Sequence, residues 1–374
     1  MNYSNDVINL LRLARTENVG AVLFSQLLRK YQTADKALDA LPTIARRGGR
    51  KAPYKLISTE TVIKELDDLY NAGGKAIFLT DDNYPKRLKS IYDPPPVLSC
   101  FGHTHLLNNP QIAIVGARNA STQAKNLAHR FAEVLGGDHK LIITSGLAKG
   151  IDAAVHQGAL ATGTVAVVAG GVDYIYPKEN NNLYEQIKEM GCIISEAPFS
   201  ATPQARHFPK RNRIISGLSL GVLVIEAAIK SGSLITARQA LEQGRDVFAV
   251  PGSPLDARAR GCNKLIRDGA TLTETPDDIM PFIQMTSGRD LFEHEYDESD
   301  YRANNVIDDE ISDDLCENIY QLLSSAPIDI DMIIRDSDAS TASVLGALMA
   351  LELAGRIQRE AGGKIVAIKP VDNF

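Results

Sequence analysis

The chain has 374 residues, more than one hydrophobic core usually fills, so its length predicts two or three folding units. Apolar residues make up 44% and charged residues 23%, a globular composition, and no apolar run approaches the ~18–20 residues that a membrane-spanning helix needs. The net charge of −6 argues at first against a nucleic-acid partner, because Lys and Arg bind phosphate backbones.

The acidic charge is concentrated in one segment. Residues 289–314 contain eleven acidic residues and two arginines, a local net charge of −9. The other 348 residues therefore carry a net charge of +3. An acidic, glycine-poor segment is typical of a solvated, extended linker, and we expect a linker over residues 286–313. A DNA-mimicking tail is the alternative.

The N-terminus and the cysteines indicate the compartment. The first six residues carry an acid and amides where a secretory signal has basic residues and an apolar run. Cys100, Cys192, Cys262 and Cys316 stand far apart and match no CxxC motif, and HExxH is absent, so we expect core thiols. We therefore expect a cytoplasmic protein without a disulfide framework, a metal or another cofactor.

Residues 1–72 are predicted to form an N-terminal helical domain. Apolar residues recur at helical spacing between Asp6 and Leu41, with breaks near Gly20 and Thr33, which indicates several short helices. The stretch Arg46–Lys51 is basic and contains two glycines, so we expect a loop there.

Residues 73–285 are predicted to form an α/β domain. Six short β-branched runs are apolar throughout, and ten or more residues separate successive runs, enough for crossover helices. This pattern predicts a Rossmann-like, doubly wound parallel sheet. The predicted strands are Ile112–Val115, Leu141–Thr144, Val165–Ala169, Ile193–Ser195, Val222–Ile225 and Val247–Val250.

Residues 314–374 are predicted to form a winged-helix-like domain. Three helical segments, the last over Thr341–Leu353, precede a hairpin that includes Ile357 and Ile365. A recognition helix that reads duplex DNA should carry Lys or Arg, and Thr341–Leu353 has neither. An interaction module is therefore favoured over a duplex-DNA repressor.

The segments that follow five predicted strands are rich in glycine, hydroxyl and basic residues. Ligands of an open α/β sheet bind beyond the carboxyl ends of its strands, so these segments are expected to converge. Glycine lets backbone N–H groups approach an anion, and helix N-termini, Arg and Lys add positive charge, which predicts a phosphate-binding surface. The segments are Gly116–Ser121, Ser145–Asp152, Gly170–Asn180, Arg206–Arg213 and Glu226–Ser233.

Each segment also has a purely structural interpretation. Gly116-Ala117-Arg118 alone is typical of a tight turn with a surface arginine, and the run Arg206–Arg213, expected on a loop, could be a solvated face. Glu226 could act as an acid or base at the end of its strand, or it could cap a helix or hold a basic residue. The sequence has no GxxxxGK[ST] and no GxGxxG after the first predicted strand, so neither an NTPase loop nor the usual dinucleotide fingerprint is present.

Together these motifs resemble the DNA-processing protein A (DprA/Smf) family of bacterial natural transformation. The resemblance is dense over about residues 75–280, and the N-terminal segment is similar to the family's sterile-alpha-motif-like (SAM-like) domain. The motifs are Gly116-Ala117-Arg118, Ser145–Asp152, Gly170-Gly171, Tyr176–Asn180, Phe208–Arg213, Ser231–Ser233 and Val250-Pro251-Gly252.

The resemblance implies a homodimer that binds single-stranded DNA and loads the RecA recombinase onto strands coated by single-strand-binding protein. It implies that Arg118 neutralises a phosphate, that Lys178 and Lys210 line the same basic pocket, and that Phe208 stacks on a base. Leu241 and Ile266 are expected in the dimer interface. The full expected DNA-binding set is Gly116, Arg118, Ser145, Gly146, Lys149, Gly150, Lys178, Phe208, Lys210, Arg211, Asn212, Arg213, Gly232 and Ser233.

The alternative function is that of a nucleotide-directed phosphoribohydrolase-like enzyme. Those enzymes share a similar architecture, with a Pro-Gly-Gly-x-Gly-Thr-x-x-Glu signature that Ile225–Ser233 does not reproduce. A non-enzymatic recombination mediator is therefore favoured.

Overall fold

The computed structural model describes residues 3–284, 312–360 and 363–368. These residues divide into two compact units: Met1–Lys64 together with His294–Phe374, and Glu65–Glu293. Most of the predicted acidic linker lies outside the described residues, and the domain boundaries expected from the sequence stay predictions.

The N-terminal segment is helical, as predicted. Its helices bury leucines such as Leu11, Leu23 and Leu41, because apolar residues recur on one face of each helix. The loop expected at Arg46-Arg47 was wrong: Ile44 and Ala45 continue the buried face, so the third helix extends through Arg47. The helices are α1 (Asn5–Arg15), α2 (Ala21–Tyr31), α3 (Ala34–Arg47) and α4 (Thr59–Asn71).

The second unit is built on a nine-stranded sheet, and all six predicted strands are present. The strand order is β1-β2-β6-β5-β4-β3-β7-β8-β9, in which β3 to β9 pair in parallel and β1 and β2 form an antiparallel edge. The strands are β1 (Lys75–Phe78), β2 (Val97–Gly102), β3 (Gln111–Gly116), β4 (Ile142–Ser145), β5 (Thr164–Val167), β6 (Cys192–Ser195), β7 (Gly221–Ile225), β8 (Asp246–Ala249) and β9 (Thr271–Leu272).

Helices cover both faces of this sheet. Within β3, Ile112 and Ile114 pack in one hydrophobic cluster while Ala113 and Val115 pack in another, which explains the unbroken apolar run. The α/β fold predicted from the sequence is confirmed. The helices are α5 (Lys86–Lys89), α6 (Thr122–Gly137), α7 (Ile151–Ala159), α8 (Asn181–Met190), α9 (His207–Leu218), α10 (Ser233–Glu242) and α11 (Arg260–Arg267).

The strand order reverses beside β3. The chain passes from β3 through β4, β5 and β6 on one side, and then returns to place β7, β8 and β9 on the other. Gly116 at the end of β3 is paired with Ile225 at the end of β7. The carboxyl ends of these two strands form the topological switch point, where open α/β sheets bind ligands.

The C-terminal segment has the predicted order of three helices and a hairpin. The hairpin strands pair antiparallel, and Ile328 adds a bridge to Ile365. The elements are α12 (Asp313–Leu322), α13 (Ile330–Asp336), α14 (Thr341–Leu353), β10 (Ile357–Arg359) and β11 (Ile365–Ala367).

Two further expectations can be compared with the structure. All four cysteines are free and buried, so the prediction of core thiols is confirmed. Among the described residues, no helix has both the length and the apolar character needed to span a bilayer.

Candidate nucleic-acid interface

The loop after β3 is held close to two neighbouring segments by glycines. A Cβ on Gly116 would lie 1.9 Å from the Ile225 carbonyl oxygen, and a Cβ on Gly150 would lie 2.3 Å from the Ala117 carbonyl oxygen. Gly150 also has φ +81°, a left-handed conformation that favours glycine. The two glycines therefore let the loop that carries Arg118 lie against β7 and the start of α7.

Arg118 is exposed and lies over an aromatic ring. Its guanidinium carbon is 5.2 Å from the centre of the Phe208 ring, which is within range of a cation–π interaction. The Tyr176 ring lies 5.7 Å from Phe208 and is 47% exposed. The structure thus brings together one cation and two aromatic rings from three separate segments of the chain.

Further cations surround this cluster. Lys178 and Lys210 are exposed, as are Arg206 and Lys149. The described residues give Arg118, Lys178, Arg206 and Lys210 no salt bridge, whereas the Lys149 ammonium lies 2.5 Å from a Glu179 carboxylate oxygen. Four exposed cations are thus available to an anionic ligand.

His207 is partly buried and lies close to two of these cations. Partial burial lowers its pKa from the ordinary value, and the positive charges of Arg206 and Lys210 lower it further. His207 also lines a pocket of about 170 Å³ with Lys210, between the apolar side chains of Val168 and Ile214. Glu196 also lines the pocket, but its carboxylate is bound by Arg213. The pocket thus combines apolar walls with the cation of Lys210, which suits a base next to its phosphate.

Arg211 is on the same helix but is buried, with 7% of its surface exposed. Its guanidinium occupies the space of a side chain at Gly146, where a Cβ would lie 1.3 Å from Nη1. Burial lowers the pKa of Arg211 to about 10, while the charge of buried Asp152 opposes that shift and Arg118 adds to it. Arg211 therefore lies on the buried side of this helix, where its charge interacts with that of the buried Asp152 carboxylate.

Arg213 is also buried and is held by two carboxylates. Its Nη1 and Nη2 each donate to Glu196 at 2.8 Å, and its Nε lies 2.9 Å from Asp93 Oδ2. These carboxylates raise the pKa of Arg213 despite its burial. Its charge is thus neutralised within the protein.

The predicted hydroxyl and amide ligands are also engaged. The buried Ser145 hydroxyl donates to the Ile114 carbonyl at 2.7 Å. The hydroxyls of Ser231 and Ser233 lie 2.7 Å apart, and the Asn212 amide donates to the carbonyl of exposed Gly232 at 3.4 Å. These groups shape the loops, and their expected contacts with DNA stay predictions.

The expectation that Lys210 lies on a loop was wrong. The helix α9 begins at His207, so Phe208 and Lys210 lie in its first turn. The physical reason is the apolar spacing that follows, in which Ile214, Ile215 and Leu218 are buried and extend the helical pattern.

Glu226 caps a helix, so that interpretation of its carboxylate is confirmed. Its two oxygens accept hydrogen bonds from the backbone N–H of Ser121 at 2.9 Å and from the Ser121 hydroxyl at 2.7 Å. Ser121 is the N-cap residue of α6, and its hydroxyl also accepts from the Ala124 N–H. The carboxylate thus joins the end of β7 to the start of α6.

Tyr176 belongs to this surface although the sequence did not single it out as a binding residue. The signal was an aromatic residue between the paired glycines and Lys178 in a segment that follows a strand. The 176–180 segment is tied to the 145–150 loop, because the Asn180 side-chain amide donates to the Leu147 carbonyl at 2.9 Å.

The expected dimer residues lie on two other helices. Leu241 on α10 is 60% exposed, and Ile235 on the same helix is 41% exposed. Ile266 on α11 is partly buried and packs against the core of the sheet.

Within the described residues, no group of three or more His, Cys, Asp and Glu side chains is arranged to hold a metal ion.

Sequence comparison matches three family models to consecutive parts of the chain. The model described as DNA recombination-mediator protein A matches residues 75–284. The model described as the DprA-like N-terminal HHH domain matches residues 4–67, and that of the DprA winged helix domain matches residues 308–363.

Individual relatives agree with these matches. DNA processing protein DprA of Streptococcus pneumoniae is 45% identical over 204 residues, which cover 54% of this chain and 72% of the relative. The X-ray structure of DprA from that organism has a TM-score of 0.62 and 37% identity, covering 75% of this chain and 98% of that one. A structure of DNA processing protein A from Helicobacter pylori, which concerns that protein's single-stranded DNA binding mode, has a TM-score of 0.51 and 29% identity. The match covers 58% of this chain and 96% of that one.

Proposed function

Because the chain belongs to the DNA processing protein A (DprA) family of DNA recombination mediators, we propose that it binds single-stranded DNA at the switch point of its sheet. The observation that supports this most is the cluster of Arg118, Tyr176 and Phe208, next to the exposed cations Lys178 and Lys210. Cations that neutralise phosphates and exposed rings that stack on bases are the two devices of binding without sequence preference.

The hydrogen bonds of Glu226, the candidate acid or base, favour binding over catalysis. Both oxygens of the Glu226 carboxylate are engaged by Ser121, which leaves this residue in a helix-capping role. The sequence also lacks the signature of the phosphoribohydrolases at this strand. We therefore infer a protein that holds its ligand without breaking bonds, and release of a free base from a nucleoside monophosphate would contradict this inference.

The cellular role follows from the family. We propose that the chain acts in the cytoplasm as a homodimer, protects incoming single strands during natural transformation and loads RecA onto strands coated by single-strand-binding protein. In a reconstituted reaction, it should start RecA ATP hydrolysis on coated strands at a RecA concentration that fails alone. If RecA ATP hydrolysis on coated strands does not start when the chain is added, the loading proposal is wrong.

The experiment that tests the site uses Arg118→Ala and Lys210→Ala. Both side chains are exposed, so the fold should be retained while each lost phosphate contact weakens binding by roughly tenfold. Each change should also flatten the dependence of log K on log salt by roughly 0.7 for a single strand. Fluorescence anisotropy with a labelled oligothymidine at several salt concentrations measures both quantities.

The matched control is Arg130→Ala, which removes an exposed arginine from the middle of α6. This variant should keep the affinity and salt dependence of the unmodified chain. If Arg118→Ala and Lys210→Ala behave like the control, the proposed surface is not the binding site.

A further inference from the structure

The third helix of the winged-helix segment is covered on nearly all sides. Between Val344 and Leu353, only Leu345 and Glu352 are partly exposed. A winged helix that reads DNA leaves one face of its third helix open and lines that face with Lys or Arg. Helix α14 has no such residue, so both its burial and its composition differ from those of a recognition helix.

The N-terminal helix α3 of the same compact unit covers one side of α14, and α12, α13 and β10 cover other sides. Gly48 directly follows α3 and lies against the backbone of α14, where a Cβ would be 1.9 Å from the Ala350 carbonyl oxygen. The Asn18 amide donates to the Leu353 carbonyl at 3.3 Å, and so satisfies a carbonyl at the end of α14. Such close backbone contact is possible because residue 48 is a glycine.

Arg356, which follows α14, contacts α12 and also lies close to the end of α3. The Arg356 guanidinium lies 3.8 Å from the centre of the Tyr320 ring and forms a 2.8 Å ion pair with Glu317. The same guanidinium lies near Gly49, where a Cβ would be 3.0 Å from Arg356 Nη1. The pair of glycines after α3 therefore fits both α14 and Arg356, the residue before the hairpin.

We propose that the winged helix is a docking module for the chain's own N-terminal helical domain, and that α14 is its docking surface. Docking occupies the helix that would otherwise enter a DNA groove, so this domain joins the two ends of the chain and does not read duplex DNA. The inference uses only the unit that contains α3 and α14, and it is independent of the proposed single-strand site.

The test is hydrogen–deuterium exchange of the full chain with Gly48→Glu. Gly48 has φ −71°, which any residue adopts, and the three atoms nearest to a Cβ at this position would belong to Ala350 and Leu351. The N-terminal domain itself should therefore tolerate the change. We expect amides in residues 34–47 and 341–353 to exchange at least about tenfold faster, because an unpaired carboxylate cannot be buried there without a large cost.

The matched control is Gly137→Glu, at a glycine whose Cβ would meet no atom within 4 Å. It should leave exchange in both segments unchanged. Asn18→Gly is a milder second variant that tolerates the φ of 61° at this position but removes the amide donor, and it should change exchange in the same direction.

Three outcomes would overturn the proposal. Unchanged exchange in both variants would show that α14 is not docked on α3. Faster exchange of the unmodified chain on dilution would assign the contact to a second copy. Protection of residues 341–353 by a DNA duplex, with release of residues 34–47, would make α14 a DNA-reading helix.

Discussion

Replacing Arg211 by Met tests whether the buried cation supports the site from beneath. The Met side chain fills much of the space of the arginine stem but removes the positive charge that interacts with the buried Asp152 carboxylate. Leaving a buried charge uncompensated can cost up to about 3–5 kcal/mol. We expect the free energy of unfolding to fall near neutral pH by at least about 1 kcal/mol and by no more than that range.

The loss should depend on pH in a direction fixed by Asp152. Burial already raises the pKa of this carboxyl, and Arg211 opposes that rise. Without Arg211 the folded pKa rises further above the unfolded value, so the folded state gains stability as the pH falls and Asp152 takes up a proton. Arg211→Met should therefore be less destabilising at pH 5 than at pH 8.

The double variant Asp152→Asn with Arg211→Met supplies the decisive comparison. An asparagine oxygen can still accept the Ala148 N–H, which donates to Asp152 at 3.3 Å, while the unpaired charge is gone. Urea unfolding followed by circular dichroism should show that the double variant regains most of the lost stability. Arg206→Met, at an exposed cation, is the control and should change stability little.

The same double variant separates support from direct contact with DNA. Because Arg211 is 7% exposed, we expect single-strand affinity to return together with stability. If the double variant is stable but binds DNA weakly, Arg211 contacts the ligand directly. If Arg211→Met costs less than about 1 kcal/mol, or the double variant is no more stable than the single one, the argument that Arg211 compensates the buried charge of Asp152 is refuted.

Two further predictions concern other parts of the second unit. Leu241→Asp places a charge on the exposed apolar face of α10 and should yield monomers in light scattering, whereas Met190→Asp should not; a variant that stays dimeric would locate the interface elsewhere. Burial, with a contribution from Arg211, lowers the pKa of His156 to about 3, so below about pH 6.5 the unfolded state binds a proton that the folded state excludes. The free energy of unfolding, measured in urea, should then fall by up to about 1.4 kcal/mol for each pH unit by which the pH is lowered. A His156→Gln variant with the same dependence of stability on pH would contradict this.

The parallel strands were predictable because their physical signal is strong. A strand buried on both faces must be apolar at every position, as β3 is over Ile112–Val115, and a crossover helix must separate it from the next parallel strand. The antiparallel edge was missed for the opposite reason. Strand β1 has four residues, of which Lys75 is exposed, and β2 follows three consecutive prolines that indicate a turn.

The basic run shows why sequence identifies charge more readily than exposure. Arg211 is four residues before Ile215 and seven before Leu218, which is the spacing of one helical face, and all three are buried. Arg206 and Lys210 are also four residues apart, and both are exposed. Helical periodicity therefore separates buried Arg211 from exposed Arg206 and Lys210, but the prediction of a loop prevented its use. Carboxylates as distant in sequence as Asp93 could not be paired with Arg213 by periodicity.

Some cations of the predicted site are neutralised by carboxylates and others are not, and this difference sets an upper limit on the electrostatic contribution to binding. Arg213 is neutralised by two carboxylates, and Lys149 is neutralised by Glu179. These two residues therefore contribute less than a free cation would to the release of counterions from DNA. Around the aromatic pair, the exposed cations without a salt bridge in the described part of the chain are Arg118, Lys178, Arg206 and Lys210. Four such contacts give a slope of about −2.8 for log K against log salt per protomer, at roughly 0.7 for each single-strand phosphate. A measured slope much steeper than this would require cations from outside the cluster, whereas a shallower slope with tight binding would assign more of the affinity to stacking on Phe208 and Tyr176.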